Sequence, residues 1–418
     1  MRNIFDQYTQ PENKLTHSLA SCLYEDKKLL DSFLKNFCTG FFIKTQNISI
    51  EQQTIPGLKQ DISDESQKKG LPDALIFDDE KCLIIESKVS STLTSDQLKR
   101  HENTIKRRGF EQIRGIGIVV DIVPKVKLDN WIQITWNDVY SWSYKEKNKS
   151  EWAKKLLDYF NVLENNMVED EYLKEGSITE FTGIHFDDEN PYSYREGKRQ
   201  LRLLLKKLKS NKILKEELGI NLNHKGRGGI KKVGNLWDYL TFDTGVKNKS
   251  FTDEPHLTIG VGPDFIEGDL TIPYRIKGRT KKNFYSLSWK SFRKIIENIA
   301  NNFHNEFGIS NSFKPQIIIA QRRYPSQSSP AIHDARLDFD IRTAFKDLSS
   351  KLKPTQKKQE EWLKLVYDIN NNKKSNIQFQ VGARFYFNKN SLVNNKDADK
   401  VLCKSFLACK PLIDYLFK

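Results

Sequence analysis

Leu71-Pro72-Asp73-Ala74-Leu75-Ile76-Phe77-Asp78-Asp79-Glu80-Lys81-Cys82-Leu83-Ile84-Ile85-Glu86-Ser87-Lys88 holds two apolar runs around a polar tetrad. The runs, Ala74 to Phe77 and Cys82 to Ile85, flank Asp78-Asp79-Glu80-Lys81, the pattern of a β-hairpin with a short loop. A symmetric loop sets Asp73 opposite Glu86, where cross-strand partners stand roughly 4.5–5.5 Å apart at Cβ and like charges repel. Both strands are apolar on both faces, as buried central strands are, so the two carboxylates are expected to be largely desolvated. Such a pair needs a cation. Lys88 shares a face with Glu86 by strand alternation and places an ammonium beside it. Two carboxylates and a lysine at the end of a buried hairpin suit a Mg²⁺ site that activates water.

Pro72-Asp73 followed by Glu86-Ser87-Lys88 resembles the signature of the PD-(D/E)xK nuclease superfamily, the restriction-endonuclease-like fold. The resemblance implies that Asp73 and Glu86 bind one or two divalent metals, Mg²⁺ or also Mn²⁺, helped by the Ser87 carbonyl. Lys88 then orients or activates the attacking water and stabilises charge on the phosphate. Thr94-Ser95-Asp96-Gln97-Leu98-Lys99-Arg100-His101 opens like a helix, with cap-type residues and an acidic first turn. Its Gln97 and His101 share a helix face and are similar to a glutamine pattern common after the lysine strand. By resemblance, Gln97 positions water or contacts phosphate, and His101 touches nucleic acid; the plain alternative for His101 is a partly exposed helix residue. Upstream, Leu15, Leu19, Cys22, Leu23, Leu29, Leu30, Phe33, Leu34 and Phe37 recur at helical spacing, as one helix or a briefly interrupted pair. Superfamily nucleases often begin with such a helix, and a glutamate near its start reaches the metal. Glu12 is the candidate here, against a first-turn acid stabilised by the helix dipole.

The remaining pattern predicts an α-β-β-β-α-β-β-α core over residues 1–165. It takes in an extended stretch from Phe41 to Ile55, strands at 113–120 and 131–136, and a helix over 150–163. The acidic stretch 166–176 is expected to be a linker, and 177–418 an α+β domain with a mixed or antiparallel sheet that serves recognition, sensing or partner binding.

With 418 residues, 38% hydrophobic and 11% aromatic, the chain can build two sizeable cores. A net charge of +14 favours a polyanionic partner. Cys22, Cys38, Cys82, Cys403 and Cys409 form no C-x-x-C pair and no zinc spacing, so reduced core thiols in a cytoplasmic protein are expected. No leader-like or membrane-length apolar segment occurs, so no membrane association is expected.

In the second region, residues 198–232 carry 12 basic against two acidic residues. Lys225, Arg227, Lys231 and Lys232 sit in a glycine-rich loop that can lie against phosphates, a solvated cationic face being the alternative. Arg322 and Arg323 open a basic, aromatic, Pro/Ser-rich loop of the kind that carries recognition. His333, Asp334, Asp338 and Asp340 follow; Asp338 and Asp340 alternate with apolar residues, as on a half-exposed strand. The expected function is a metal-dependent nuclease, DNA favoured over RNA, in a prokaryotic restriction or anti-phage setting. A homodimer and a regulatory protein or small molecule at the C-terminal domain are compatible with it. The alternatives are a non-catalytic nucleic-acid-binding protein on the same scaffold, or a nuclease gated by a C-terminal sensor.

Overall fold

Strands β2 (Ala74–Phe77) and β3 (Lys81–Lys88) pair antiparallel with Ala74 opposite Ile85 and Phe77 opposite Cys82, the register that the symmetric loop predicts. Asp78 closes the loop by accepting from the amides of Glu80 and Lys81. In the computed structural model this hairpin is the middle of a five-stranded mixed sheet. On one side it pairs antiparallel with β1 (Ser49–Gln52), on the other β3 runs parallel to β4 (Gln112–Val119), which runs parallel to β5 (Trp131–Thr135).

Both sheet faces are covered, which is why the strands are apolar throughout. Leu83 and Ile85 join a core with helices α1 (Pro11–Glu25), α2 (Lys27–Phe37), α4 (Trp136–Glu146) and α5 (Glu151–Glu169). Cys82 and Ile84 pack with Leu98 and Ile105 of α3 (Ser95–Arg107), the crossover between parallel β3 and β4. The N-terminal apolar stretch is a helix pair broken at Asp26, which caps α2 and accepts a hydrogen bond from Ser150. Helix α4 was not anticipated; Thr135 and Asp138 form its capping box.

The chain forms two compact units, Met1–Glu180 and Phe181–Lys418. The stretch expected as linker, 166–176, differs: α5 continues to Glu169, and the chain beyond is drawn back into the first unit. Glu164 is buried and accepts from the amides of Ile178 and Thr179, a polar anchor that acidic composition conceals. The structure describes residues 5, 8, 10–42, 47–52, 72–126, 128–188, 190–223, 226–227, 236–244, 250–326, 329, 331–352, 358–371, 376–388 and 391–418. Lys225, Lys231, Lys232 and parts of the extended stretch expected from Phe41 to Ile55 lie outside them.

The second unit holds a six-stranded, wholly antiparallel sheet of β6 (Leu236–Thr241), β7 (His256–Val261), β8 (Phe265–Ile272), β9 (Phe313–Arg323), β10 (Ile332–Asp340) and β11 (Ile377–Tyr386). Their order is β10-β9-β11-β8-β7-β6. One row across it, Leu240, Leu257, Leu270, Val381, Ile317 and Phe339, packs on helices that include α6 (Tyr194–Lys209), α7 (Lys212–Leu218), α8 (Gly278–Tyr285) and α9 (Trp289–Phe307). α12 (Ala398–Ala408) and α13 (Lys410–Phe417) complete that layer, after α10 (Lys346–Leu352) and α11 (Glu360–Asn370). The adjacent row, Tyr239, Thr258, Asp269, Gly382, Gln316 and Asp340, belongs to the other face and is polar. Gly382 is required there, because a Cβ would stand 2.1 Å from the Gly268 carbonyl oxygen and 2.6 Å from Asp269 Oδ1. Asp338 and Asp340 are ion-paired to Lys314 and Arg342. All five cysteines are free and buried. Among the described residues no helix is long and apolar enough to cross a membrane.

Candidate active site

Strand alternation sorts the end of β3 between the two layers. Glu86 and Lys88 follow Cys82 and Ile84 onto the α3 face, and Ser87 turns to α1. Glu86 is 2% exposed and collects three partners. Its Oε1 accepts from Lys88 Nζ at 2.8 Å and from Gln97 Nε2 at 2.6 Å. Its Oε2, buried without a well-formed hydrogen bond, lies 3.2 Å from His101 Nε2. Helix α3 delivers both residues because Thr94 caps it, accepting from the Gln97 amide, and because one turn separates Gln97 from His101.

Asp73 stands just ahead of β2. Its Oδ2 accepts from the Ser87 amide at 2.8 Å and the Ser87 hydroxyl at 3.0 Å. Ser87 Oγ in turn lies 2.6 Å from Thr16 Oγ1 of α1, so a buried hydroxyl pair links the first helix to the aspartate. Glu12, one turn earlier, accepts at Oε1 from the amides of Val89 at 2.8 Å and Ser90 at 3.4 Å, while its Oε2 is 3.8 Å from Lys88 Nζ. It therefore clamps the chain leaving β3 at the border of the acidic pair.

The electrostatics follow. Burial, and then the nearby Glu86 charge, push the Asp73 carboxyl up to about 7, against the opposing pull of Lys88 and Ser87. Burial alone would raise Glu86 too, but His101 and Lys88 hold it below the ordinary carboxylate range. Burial would depress Lys88; Glu86 and Asp73 outweigh it and raise the ammonium. The pair carries its first negative charge readily and its second with difficulty, as coupled carboxylates do.

This set suits a hard cation. Among the described residues no group of three or more His, Cys, Asp or Glu converges as a ready-made metal centre. Mg²⁺ does not require one: it keeps several waters and is commonly bound through one or two carboxylates plus phosphate oxygens. Residues 2–181 match a family model described as the PD-(D/E)XK nuclease superfamily. The N-terminal unit is a PD-(D/E)XK unit. The match spans the unit that contains the hairpin, and the mixed sheet between helices is the fold expected from the residues. No curated protein matches the chain.

The structure brings Asp73, Glu86, Ser87, Lys88, Gln97 and Glu12 together. His101 is a correction: it is 3% exposed and faces Glu86, so it is not placed to touch nucleic acid. The signal was present, because Leu98, His101 and Ile105 form one buried stripe on α3. Thr16 was missed, and a hydroxyl between Leu15 and Leu19 on an otherwise apolar helix face was its signal. Of the basic candidates, Arg227 stacks on Trp237 and Arg323 pairs with Asp334 at 2.9 Å, both in the second unit with Arg322.

Proposed function

We propose that the chain is a divalent-metal-dependent nuclease that hydrolyses phosphodiester bonds, with DNA as the favoured substrate and Mg²⁺ as the favoured ion. The observation that carries this reading is the junction of Asp73, Glu86 and Lys88 at the end of one buried hairpin, with Gln97 fixed on Glu86. Asp73, Glu86 and the Ser87 carbonyl would hold the ion, with Glu12 at the edge of the set; bound there, it would polarise the phosphate and lower the pKa of water. Gln97 and His101 fix the Glu86 carboxylate. Ser87, backed by Thr16, fixes that of Asp73. Lys88 keeps its proton through its carboxylate neighbours and offers positive charge where the attacked phosphate gains negative charge.

A buried, mutually repelling acid pair has no evident use in a retired scaffold, which weighs against a non-catalytic binding protein. A restriction or anti-phage setting, and control through the second unit, are part of this proposal on the strength of the resemblance, and a cytoplasmic location on the five free cysteines. One site per chain cuts one strand, so double-strand cleavage implies a homodimer. The test is a digest of supercoiled plasmid, single-stranded DNA and RNA with Mg²⁺, Mn²⁺ or EDTA, run beside Glu86→Ala. Metal-dependent cutting that Glu86→Ala abolishes is expected. Absence of cutting on every substrate, or equal cutting by the variant, refutes the proposal.

A further inference from the structure

The face of the C-terminal sheet turned away from its helices ends, at edge strand β6, in an aromatic array. Trp237 and Tyr239 alternate onto that face, and the Phe251 ring lies 5.8 Å from Trp237 and 4.7 Å from Tyr239. All three are half-buried. The Arg227 guanidinium lies 3.9 Å from the Trp237 ring centroid and donates to the Trp237 carbonyl. Arg322, at the far end of β9, belongs to another basic stretch far along the chain, yet Tyr324 interacts electrostatically with both Arg227 and Arg322. Tyr324, two residues from Arg322, is thus close enough to Arg227 for their charges to interact. Tyr324 itself is 59% exposed.

The charges on this face fall into two classes. Arg384 pairs with Glu267 at 2.7 Å, Lys314 with Asp338 at 2.5 Å and Arg336 with Asp338 at 3.3 Å. Among the described residues Arg322 forms no ion pair; it hydrogen-bonds Tyr324, and its Nε is buried without a hydrogen bond. A duplex offers no open base faces and is held by a broad field of unpaired cations, which internal pairing denies this surface. An unpaired strand needs little more than aromatic faces for its bases and a few cations for its backbone.

We propose that Trp237, Tyr239, Phe251 and Tyr324, with Arg227 and Arg322, form a docking surface for a single strand of nucleic acid. It rests on the nuclease reading in naming the form in which that substrate is held. The bland account is that the rings merely seal one end of the sheet.

The test uses the full chain in EDTA, so that binding is read without cleavage. Fluorescence anisotropy compares short labelled single-stranded DNA, single-stranded RNA and duplex of the same sequence. Single strands, of either sugar or both, should bind more tightly than duplex. Tyr324→Ala, at an exposed position, should weaken that binding on the order of 10-fold, as expected when one stacking partner is removed. Arg227→Ala with Arg322→Ala should lower the log–log salt slope by about 0.7 for each phosphate that the variant no longer neutralises. Duplex bound as tightly as single strands, or single-strand affinity unchanged in both variants while their melting curves stay cooperative, overturns the proposal. The digest reads cleavage and this assay reads binding in EDTA, so weak or duplex-selective binding here overturns this proposal while metal-dependent cutting in the digest still stands for the nuclease reading.

Discussion

Asp73→Asn should make the metal-free protein more stable and inactive at once. The carboxyl is pushed from 3.8 to about 7 by burial and by Glu86. At 1.36 kcal/mol per unit, ionising it in the folded state costs roughly 4 kcal/mol more than in the unfolded chain. A raised acid pKa means that the folded state keeps a proton the unfolded chain releases. This contribution is therefore intact below about pH 4 and is lost as the pH rises through about 7. Asparagine has no such proton, and its carbonyl can still accept from the Ser87 amide and hydroxyl. The advantage of Asp73→Asn should be near zero at about pH 4 and grow to as much as about 4 kcal/mol at about pH 8, an upper bound because Glu86 shares the repulsion. Urea unfolding in EDTA across that range, followed through the transition of the N-terminal unit, measures it. Adding Mg²⁺ should then favour the wild-type protein, since an ion that binds only the folded acid pair stabilises by mass action. A pH-independent difference, or a variant less stable than wild type at pH 8 without metal, refutes the electrostatic reasoning.

Lys88→Ala should still bind nucleic acid and take up Mg²⁺ or Ca²⁺ yet cleave about 10²–10³ more slowly, since its charge acts where the phosphate gains charge; restoration of the wild-type rate by saturating Mg²⁺ would show that it only neutralises the acids. His101→Ala should lower activity through a loosened Glu86 while leaving the salt dependence of binding unchanged, and a reduced salt slope would return it to the nucleic-acid interface. Thr16→Val removes the hydroxyl behind Ser87 and should cost about 0.5–1.5 kcal/mol of stability in urea melts, the usual net worth of one hydrogen bond, since Ser87 keeps its bond to Asp73; an unchanged midpoint counts against the hydroxyl chain. Neutralising Lys225, Arg227, Lys231 and Lys232 together should flatten the salt dependence of nucleic-acid affinity, and an unaltered slope removes that loop from the interface.

Residues 71–101 declared most of the candidate site's geometry because their relations are local. A short loop sets the register of β2 and β3, alternation puts Lys88 beside Glu86, and a cap plus one helical turn aligns Gln97 with His101. None of that needs knowledge of the rest of the chain. Which neighbour each face meets is another matter. His101 faces Glu86 because α3 packs on that side of β3, and Thr16 reaches Ser87 because α1 packs on the opposite side. The unit boundary escaped for a similar reason: acidic residues look like a linker until Glu164 is seen buried on the amides of Ile178 and Thr179. Sheet order in the second unit is the extreme case. Tyr324 stands two residues from Arg322, yet its charge also interacts with that of Arg227, far earlier in the chain. Local pattern can mark each strand and each basic loop, but the strand order that joins them is decided by long-range pairing energies, to which no single segment of sequence holds the key.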